Sequence, residues 1–303
     1  MERVRARLAP VLGEELTSLI PRRYTRLGRV LVVRLPERLR PFYPVIGEAY
    51  AEEVGVAAVL RPAGPIEGEF RRPRVELIHG SDARTEVTEH GARWRFDAQE
   101  VMFARGNKEE RARVGRLVEP GERVVDLFAG IGYFVIPMAL RDPGIHLVAA
   151  EANPVAFRFL IENLHLNGVS EQVEAHRGDN RELPLPRAWA DRVLLGYLPS
   201  SLPWIDLALE LLRPEGGTLH VHLIVGSRPG PPEAASQVGD ALKLRDVGWE
   251  SLRGRAVKPY GPGRIHAVVD AEILPRSPDR AASPRQDPLP RFVRSRTDGF
   301  NGP

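Results

Sequence analysis

The stretch Val124-Val125-Asp126-Leu127-Phe128-Ala129-Gly130-Ile131-Gly132-Tyr133-Phe134 constrains this chain more than any other. It reads as a buried strand, an acid at the strand's end, a Gly-x-Gly turn and a helix start. Glycine has no Cβ, so the backbone there can approach a ligand closely. The turn after the first strand of a doubly wound sheet is where nucleotides bind. Further apolar runs at 147–150, 193–195, 218–224 and 265–273 alternate with helical stretches near 107–118, 153–167, 203–213 and 233–245. Such alternation predicts a mostly parallel, doubly wound α/β sheet. Asn153-Pro154 supplies a cap and a first-turn proline for one of the helices.

Two nucleotides compete for this turn. A dinucleotide fingerprint is G-x-G-x-x-G with pyrophosphate on the helix N-terminus. Here Val135 stands where the third glycine belongs, and Asp126 precedes the turn. An acid repels phosphate and attracts a cation. S-adenosylmethionine has a sulfonium, an ammonium and no phosphate, so it fits better. Gly130 and Gly132 then form its cradle. Glu151 ends the next apolar run and is placed to accept both ribose hydroxyls. Asp179 and Asn180 follow the third strand, where an acid and an amide can bind the adenine edge.

Residues 1–105 look like a separate α+β module. Val4, Leu8, Val11 and Leu12 fall at helical spacing, and strand-like runs follow at 30–33, 75–78, 84–88 and 92–96. Glu89-His90-Gly91 joins the last two as a hairpin. Residues 106–274 form the nucleotide domain. Residues 275–303 are rich in Pro, Arg, Ser and Asp and are expected to be a disordered tail. That tail holds six Arg and three Asp, the whole of the net charge of +3, so the rest is formally neutral. Among the basic residues only Lys108, Lys243 and Lys258 are lysine. Cysteine is absent, which excludes disulfides and thiolate chemistry. No apolar run approaches the ~18 residues a membrane span needs, and MERVRARLAP lacks a secretory apolar core. A cytoplasmic protein with no membrane partner is expected.

Several segments, in order, resemble one known family. They include Ile20-Pro21-Arg22-Arg23-Tyr24, His79-Gly80-Ser81-Asp82, Met102-Phe103, Asn107-Lys108-Glu109-Glu110-Arg111 and the glycine turn itself. Gly178-Asp179-Asn180-Arg181, Ala190-Asp191-Arg192-Val193, Gly196-Tyr197-Leu198-Pro199-Ser200-Ser201 and Leu219-His220-Val221-His222 continue the series. Residues 20–274 thereby resemble the tRNA wybutosine-synthesis 3-amino-3-carboxypropyl transferases, relatives of the tRNA guanine-N1 methyltransferases. The resemblance implies a class I S-adenosylmethionine-dependent methyltransferase fold, Rossmann-like. It implies cofactor contacts at Arg111, Glu151, Asp179 and Asn180, with Arg111 pairing the cofactor's carboxylate. Ala104 stands where the family commonly has a Ser. The related base methyltransferases keep an Asn or Asp at the end of the fourth strand to hold the acceptor base, and here that position is Gly196. The carboxypropyl-transferring branch shares this loss, so methylthioadenosine is the expected product.

The resemblance leaves the acceptor open. A wyosine-precursor base of phenylalanine tRNA suits the run Arg22, Arg23, Arg26, Arg29, Arg34, Arg38 and Arg40, which can engage phosphates. The neutral body and a composition typical of a GC-rich bacterium favour a small phenolic acceptor instead. That is an isonocardicin synthase-like transfer to a nocardicin-type β-lactam, in antibiotic biosynthesis. Methyl transfer to guanine N1 and a non-catalytic RNA-binding relative are the further alternatives. His222 and Tyr197 are the candidates for removing the acceptor's proton. His220 and His222 share one face of a strand, but with His79 and His266 they make no convincing metal set, and no metal is expected. Asp191 reads as a surface acid.

Overall fold

The computed structural model describes residues 2–276 apart from Glu69, so nearly all of the tail expected at 275–303 lies outside the described residues. In chain order the elements are α1 (Glu2–Ser18), β1 (Thr25–Leu27), β2 (Val30–Val32), α2 (Tyr43–Val54), β3 (Ala58–Pro62), β4 (Val75–His79), β5 (Arg84–Glu89) and β6 (Ala92–Asp97). Then come α3 (Lys108–Leu117), β7 (Arg123–Asp126), α4 (Val135–Arg141), β8 (His146–Glu151), α5 (Pro154–Asn167), β9 (Val173–Arg177) and β10 (Arg192–Leu195). The last are α6 (Ile205–Leu211), β11 (Gly217–Gly226), α7 (Pro231–Lys243), β12 (Trp249–Gly261) and β13 (Arg264–Ile273).

Seven strands form one sheet in the order β12-β13-β11-β10-β7-β8-β9. The five from β11 to β9 run parallel; β13 runs antiparallel to β11, and β12 antiparallel to β13. Strand order reverses between β7 and β10. The crevice at the strand ends there is the ligand position of a doubly wound sheet. The inner parallel strands read as continuous apolar runs because both their faces are covered. Val124, Val125, Val193, Leu194 and Leu195 are all fully buried. Asn153 caps α5 as expected, its side chain accepting from the N–H groups of Val155 and Ala156.

A smaller sheet has the order β1-β2-β3-β4. Val4, Leu8 and Leu12 of α1 and Ile46 and Tyr50 of α2 pack against it through Leu31 and Val59. Val11, expected on the same stripe, is instead 57% exposed. The buried positions recur every four residues, and Val11 falls off that stripe. β5 and β6 pair only with each other. His90 and Gly91 sit at φ 48 and 85, the left-handed pair that a two-residue hairpin turn requires.

Two asparagines of α5 bond the free edge of β6 as another strand would. Asn163 Oδ1 accepts the Arg95 N–H at 2.7 Å, and its Nδ2 donates to the Arg95 carbonyl at 3.1 Å. Asn167 repeats this at Arg93, at 2.9 and 2.7 Å. The hairpin, which a division at residue 105 assigns to the N-terminal module, is thereby tied to the nucleotide-binding side. One apolar core runs from Leu27 and Leu60 through Trp94 and Phe96 to Ile136 and Phe159.

Candidate active site

The turn after β7 is built around Glu151. The Gly130 N–H donates to Glu151 Oε2 and the Asn153 N–H to Oε1, each at 2.7 Å. Each oxygen keeps a further lone pair for a ligand. Burial raises the Glu151 carboxyl above its ordinary range, against the pull of those backbone donors. Asp126 ends β7 and is wholly buried. Its Oδ1 accepts the Phe128 N–H at 3.0 Å, and its Oδ2 has no partner. Burial pushes this carboxyl up to about 7; the Phe128 N–H opposes the shift and the Glu151 charge adds to it.

Asn180 donates from Nδ2 to the Leu127 carbonyl at 2.7 Å, which leaves Oδ1 buried and unpartnered. Burial alone would raise the neighbouring Asp179, but its bonds to Arg181 hold it below the usual carboxylate range. A cleft of about 220 Å³ opens over Glu151, Asp179 and Asn180; Asp126, which precedes the lining residues Leu127 and Phe128 in sequence, is buried and is not among them. Ala104, Arg111, Gly130, Glu151, Asp179 and Asn180 line one part of it, and Tyr197 and His222 line another. A buried amide oxygen in want of a donor and a carboxylate with spare lone pairs suit the adenosine of S-adenosylmethionine.

Gly132 is not part of the lining. Its carbonyl accepts the Trp94 indole N–H at 3.2 Å. A Cβ there would sit 2.7 Å from Ile136 Cδ1 and 3.2 Å from Leu160 Cδ1, on a backbone at φ +91. This glycine serves packing. We expect Gly132→Ala to cost about 1–3 kcal/mol of stability through overpacking and strain, read as a lowered melting midpoint. A fully stable variant that has lost its cofactor affinity would contradict this.

Arg111 has a partner that sequence reading treated only as a turn residue. Its guanidinium, 2% exposed, donates from Nη2 and Nε to Glu89 Oε2 at 2.5 and 3.0 Å. Nη1 donates to the Ala104 carbonyl at 3.1 Å. The ring centroid of Phe103 lies 4.7 Å away. The charge expected to meet a cofactor carboxylate is therefore already balanced within the chain.

On the other side, His222 Nδ1 and His266 Nε2 are 2.8 Å apart and share one hydrogen. His222 Nε2 and His266 Nδ1 are buried without partners. Burial first, then neighbouring positive charge, pushes both imidazoles down to about 3, so both are neutral. Tyr197 packs with Phe128 and Trp204, at 5.3 and 4.9 Å between centroids. His220 turns to a different task, between Arg192 and Asp270 at 2.7 and 2.6 Å. His79 lies in the smaller sheet, on β4. Asp191 anchors strand starts, accepting the Arg123 N–H at 2.8 Å and pairing with Arg213. Among the described residues, no helix is long and apolar enough to cross a membrane.

The basic run of the N-terminal module is largely occupied. Arg29 pairs with Asp82, Arg38 with Glu15 and Arg40 with Glu37. Arg26 is spent on the carbonyls of Gly28, Val54 and Gly55.

Comparison with known proteins follows the same outline. Residues 85–243 match the TRM5/TYW2 methyltransferase domain, and residues 4–83 match the TYW2 N-terminal domain. A tRNA(Phe) (4-demethylwyosine(37)-C(7)) aminocarboxypropyltransferase from Pyrococcus horikoshii is 38% identical over 272 residues, 90% of this chain and 96% of that protein. The crystal structure of P. horikoshii TYW2 in complex with MeSAdo superposes with a TM-score of 0.80 at 35% identity, covering 90% of this chain and 98% of that one. M. jannaschii TYW2 in complex with AdoMet gives 0.67 at 28%, covering 84% and 100%. The expected class I Rossmann-like fold and S-adenosylmethionine stand. The expected phenolic β-lactam acceptor, and with it antibiotic biosynthesis, is overturned by relatives named for a tRNA base. Composition and net charge describe the whole chain and its genome; they carry no information about what fits the cleft.

Proposed function

The chain belongs to the family of the TRM5/TYW2 methyltransferase domain and is an S-adenosylmethionine-dependent transferase, and we propose that it transfers the 3-amino-3-carboxypropyl group to C7 of the 4-demethylwyosine base of tRNA(Phe). The observation that carries the proposal is an asymmetric cleft. Glu151, Asp179 and Asn180 offer a full adenosine site, while the end of β10 offers Gly196, Tyr197 and Leu198 and no acid or amide to hold a guanine for methylation. The likeness to an aminocarboxypropyltransferase over nine-tenths of the chain supports it.

Bound S-adenosylmethionine supplies an electrophilic γ-carbon on its sulfonium, where attack forms the new C–C bond and releases methylthioadenosine. The chain's part is placement and proton removal. Glu151 takes ribose hydroxyls and Asn180 Oδ1 takes an adenine N–H. A ring carbon that gains an alkyl group must lose its hydrogen as a proton. His222 lines the cleft, and with the shared hydrogen on Nδ1 its buried, unpartnered Nε2 is an acceptor. It is the group we assign to take that proton, a weak base because burial disfavours its charged form. The test is turnover with precursor-bearing tRNA(Phe), read by mass spectrometry of the nucleoside product. Methylthioadenosine is expected. S-adenosylhomocysteine as the main product would make this a methyltransferase.

A further inference from the structure

The cleft is charged unevenly, and its two ends lie on different strands. Glu151 ends β8 and Asp179 follows β9, at one side of the sheet. Lys258 lies on β12, the opposite edge strand, directly across from His266 on β13. Its side chain is packed over Gly106, where a Cβ would lie 2.8 Å from Lys258 Cδ, and it lines the cleft beside Arg71 and Tyr260. Arg71 donates to the Tyr260 hydroxyl at 3.3 Å. Among the described residues neither Lys258 nor Arg71 pairs with a carboxylate, although Arg111 nearby has Glu89. Burial, then the positive charges of Arg71 and Arg111, push Lys258 down to about 8. A desolvated ammonium facing two guanidinium groups is costly until an anion joins it.

We propose that Lys258, with Arg71 behind it, binds the α-carboxylate of S-adenosylmethionine. Arg111 cannot fill that role alone, because Glu89 already balances it. The placement also bears on which bond breaks. A carboxylate drawn to the β12 edge pulls the aminocarboxypropyl chain out beside His222 and Tyr197, where the acceptor must sit. A cofactor held so would present its γ-carbon, rather than its methyl, to an acceptor there. Geometry of this kind decides between competing electrophilic carbons. The proposal rests on the cofactor and the cleft and deepens the transfer proposed above. Its test needs no acceptor, so failure of the tRNA assignment would leave it decidable.

The experiment is calorimetric titration of wild type and Lys258→Met with S-adenosylmethionine and, separately, with methylthioadenosine, which lacks the aminocarboxypropyl group. We expect S-adenosylmethionine to bind at least tenfold more weakly to the variant, with methylthioadenosine unchanged within twofold. Lys258→Arg should recover most of the loss. Equal weakening of both ligands would mean that Lys258 only supports the fold of the cleft, and would overturn the assignment. Unchanged binding of both would overturn it too, whether or not tRNA affinity falls; a fall in tRNA affinity would assign the ammonium to an RNA phosphate. Should Lys258→Met fail to fold, Lys258→Gln keeps a polar head on a shorter, uncharged side chain and is read the same way.

Discussion

Glu89→Ala is expected to melt well below the wild type, with a loss of about 3–5 kcal/mol, the cost of stranding one partner of a buried ion pair. In a chain of this size that is roughly 10 °C in melting midpoint. The side chains of Arg111 and Glu89 are 3% and 6% exposed. Arginine cannot shed its charge as a lysine can, so removing Glu89 leaves a guanidinium enclosed by Trp94, Phe103 and Tyr133. Those rings offset only part of the desolvation. The charge belongs to the ion pair, so the double substitution Glu89→Leu with Arg111→Met should regain most of the loss, because an apolar pair of similar volume replaces a buried ionic one at little cost. Thermal denaturation of the three variants checks this. A midpoint for Glu89→Ala within a degree or two of the wild type would mean that solvent reaches Arg111, and the account of its charge would fall. The consequence for function follows from position. The Nη1 bond to the Ala104 carbonyl holds the segment that forms one wall of the cleft, so the destabilised variant should also bind S-adenosylmethionine less well.

The parts of the fold legible in the sequence are those whose physics is local. Glycines at positive φ, an acid at each of three strand ends and a capped helix all leave marks within a few residues. The nucleotide turn and the groups proposed here to take the adenosine, Glu151 and Asn180, carry such marks. The two edge strands could not. β9 buries only Val173, and β12 is mostly exposed, with register shifts after Trp249, Ala256 and Pro259. An edge strand covers one neighbour and meets solvent, so it lacks an apolar period. Lys258 went unnoticed for that reason, although it is one of only three lysines in an arginine-dominated chain. Glu89 was hidden differently. Its partner is 22 residues away, and only the docking of the hairpin against α3 brings the two together. The acceptor was not legible because net charge and composition are sums over the whole chain and its genome, and neither reports the shape or chemistry of the cleft.

Affinity for S-adenosylmethionine is expected to rise with pH up to about 7 and to turn down again near 8, where Lys258 loses its proton. The cause of the rise is Asp126, whose carboxyl is held at about 7 by burial and by the nearby Glu151 charge. Glu151 is raised as well, by its own burial. The unpartnered Asp126 Oδ2 is therefore protonated below neutrality. A ligand bearing a sulfonium favours the ionised form and lowers the carboxyl's affinity for its proton. Binding then expels that proton, and affinity gains up to about tenfold per pH unit below 7. The unliganded fold has the opposite slope. Unfolded, Asp126 ionises near 3.8; folded, near 7. Between those values the fold holds a proton that the unfolded chain has lost, so this residue makes the apoprotein more stable as pH falls from 7. Calorimetry at pH 5.5 to 8, in two buffers of different ionisation enthalpy, reads both the affinity and the released proton. Asp126→Asn removes the group while keeping an acceptor for the Phe128 N–H, and should flatten the rise in affinity and abolish most of the proton release. If the wild-type affinity is level from pH 5.5 to 7, or the Asn variant keeps the slope, Asp126 is a structural brace for the turn and does not sense the cofactor's charge.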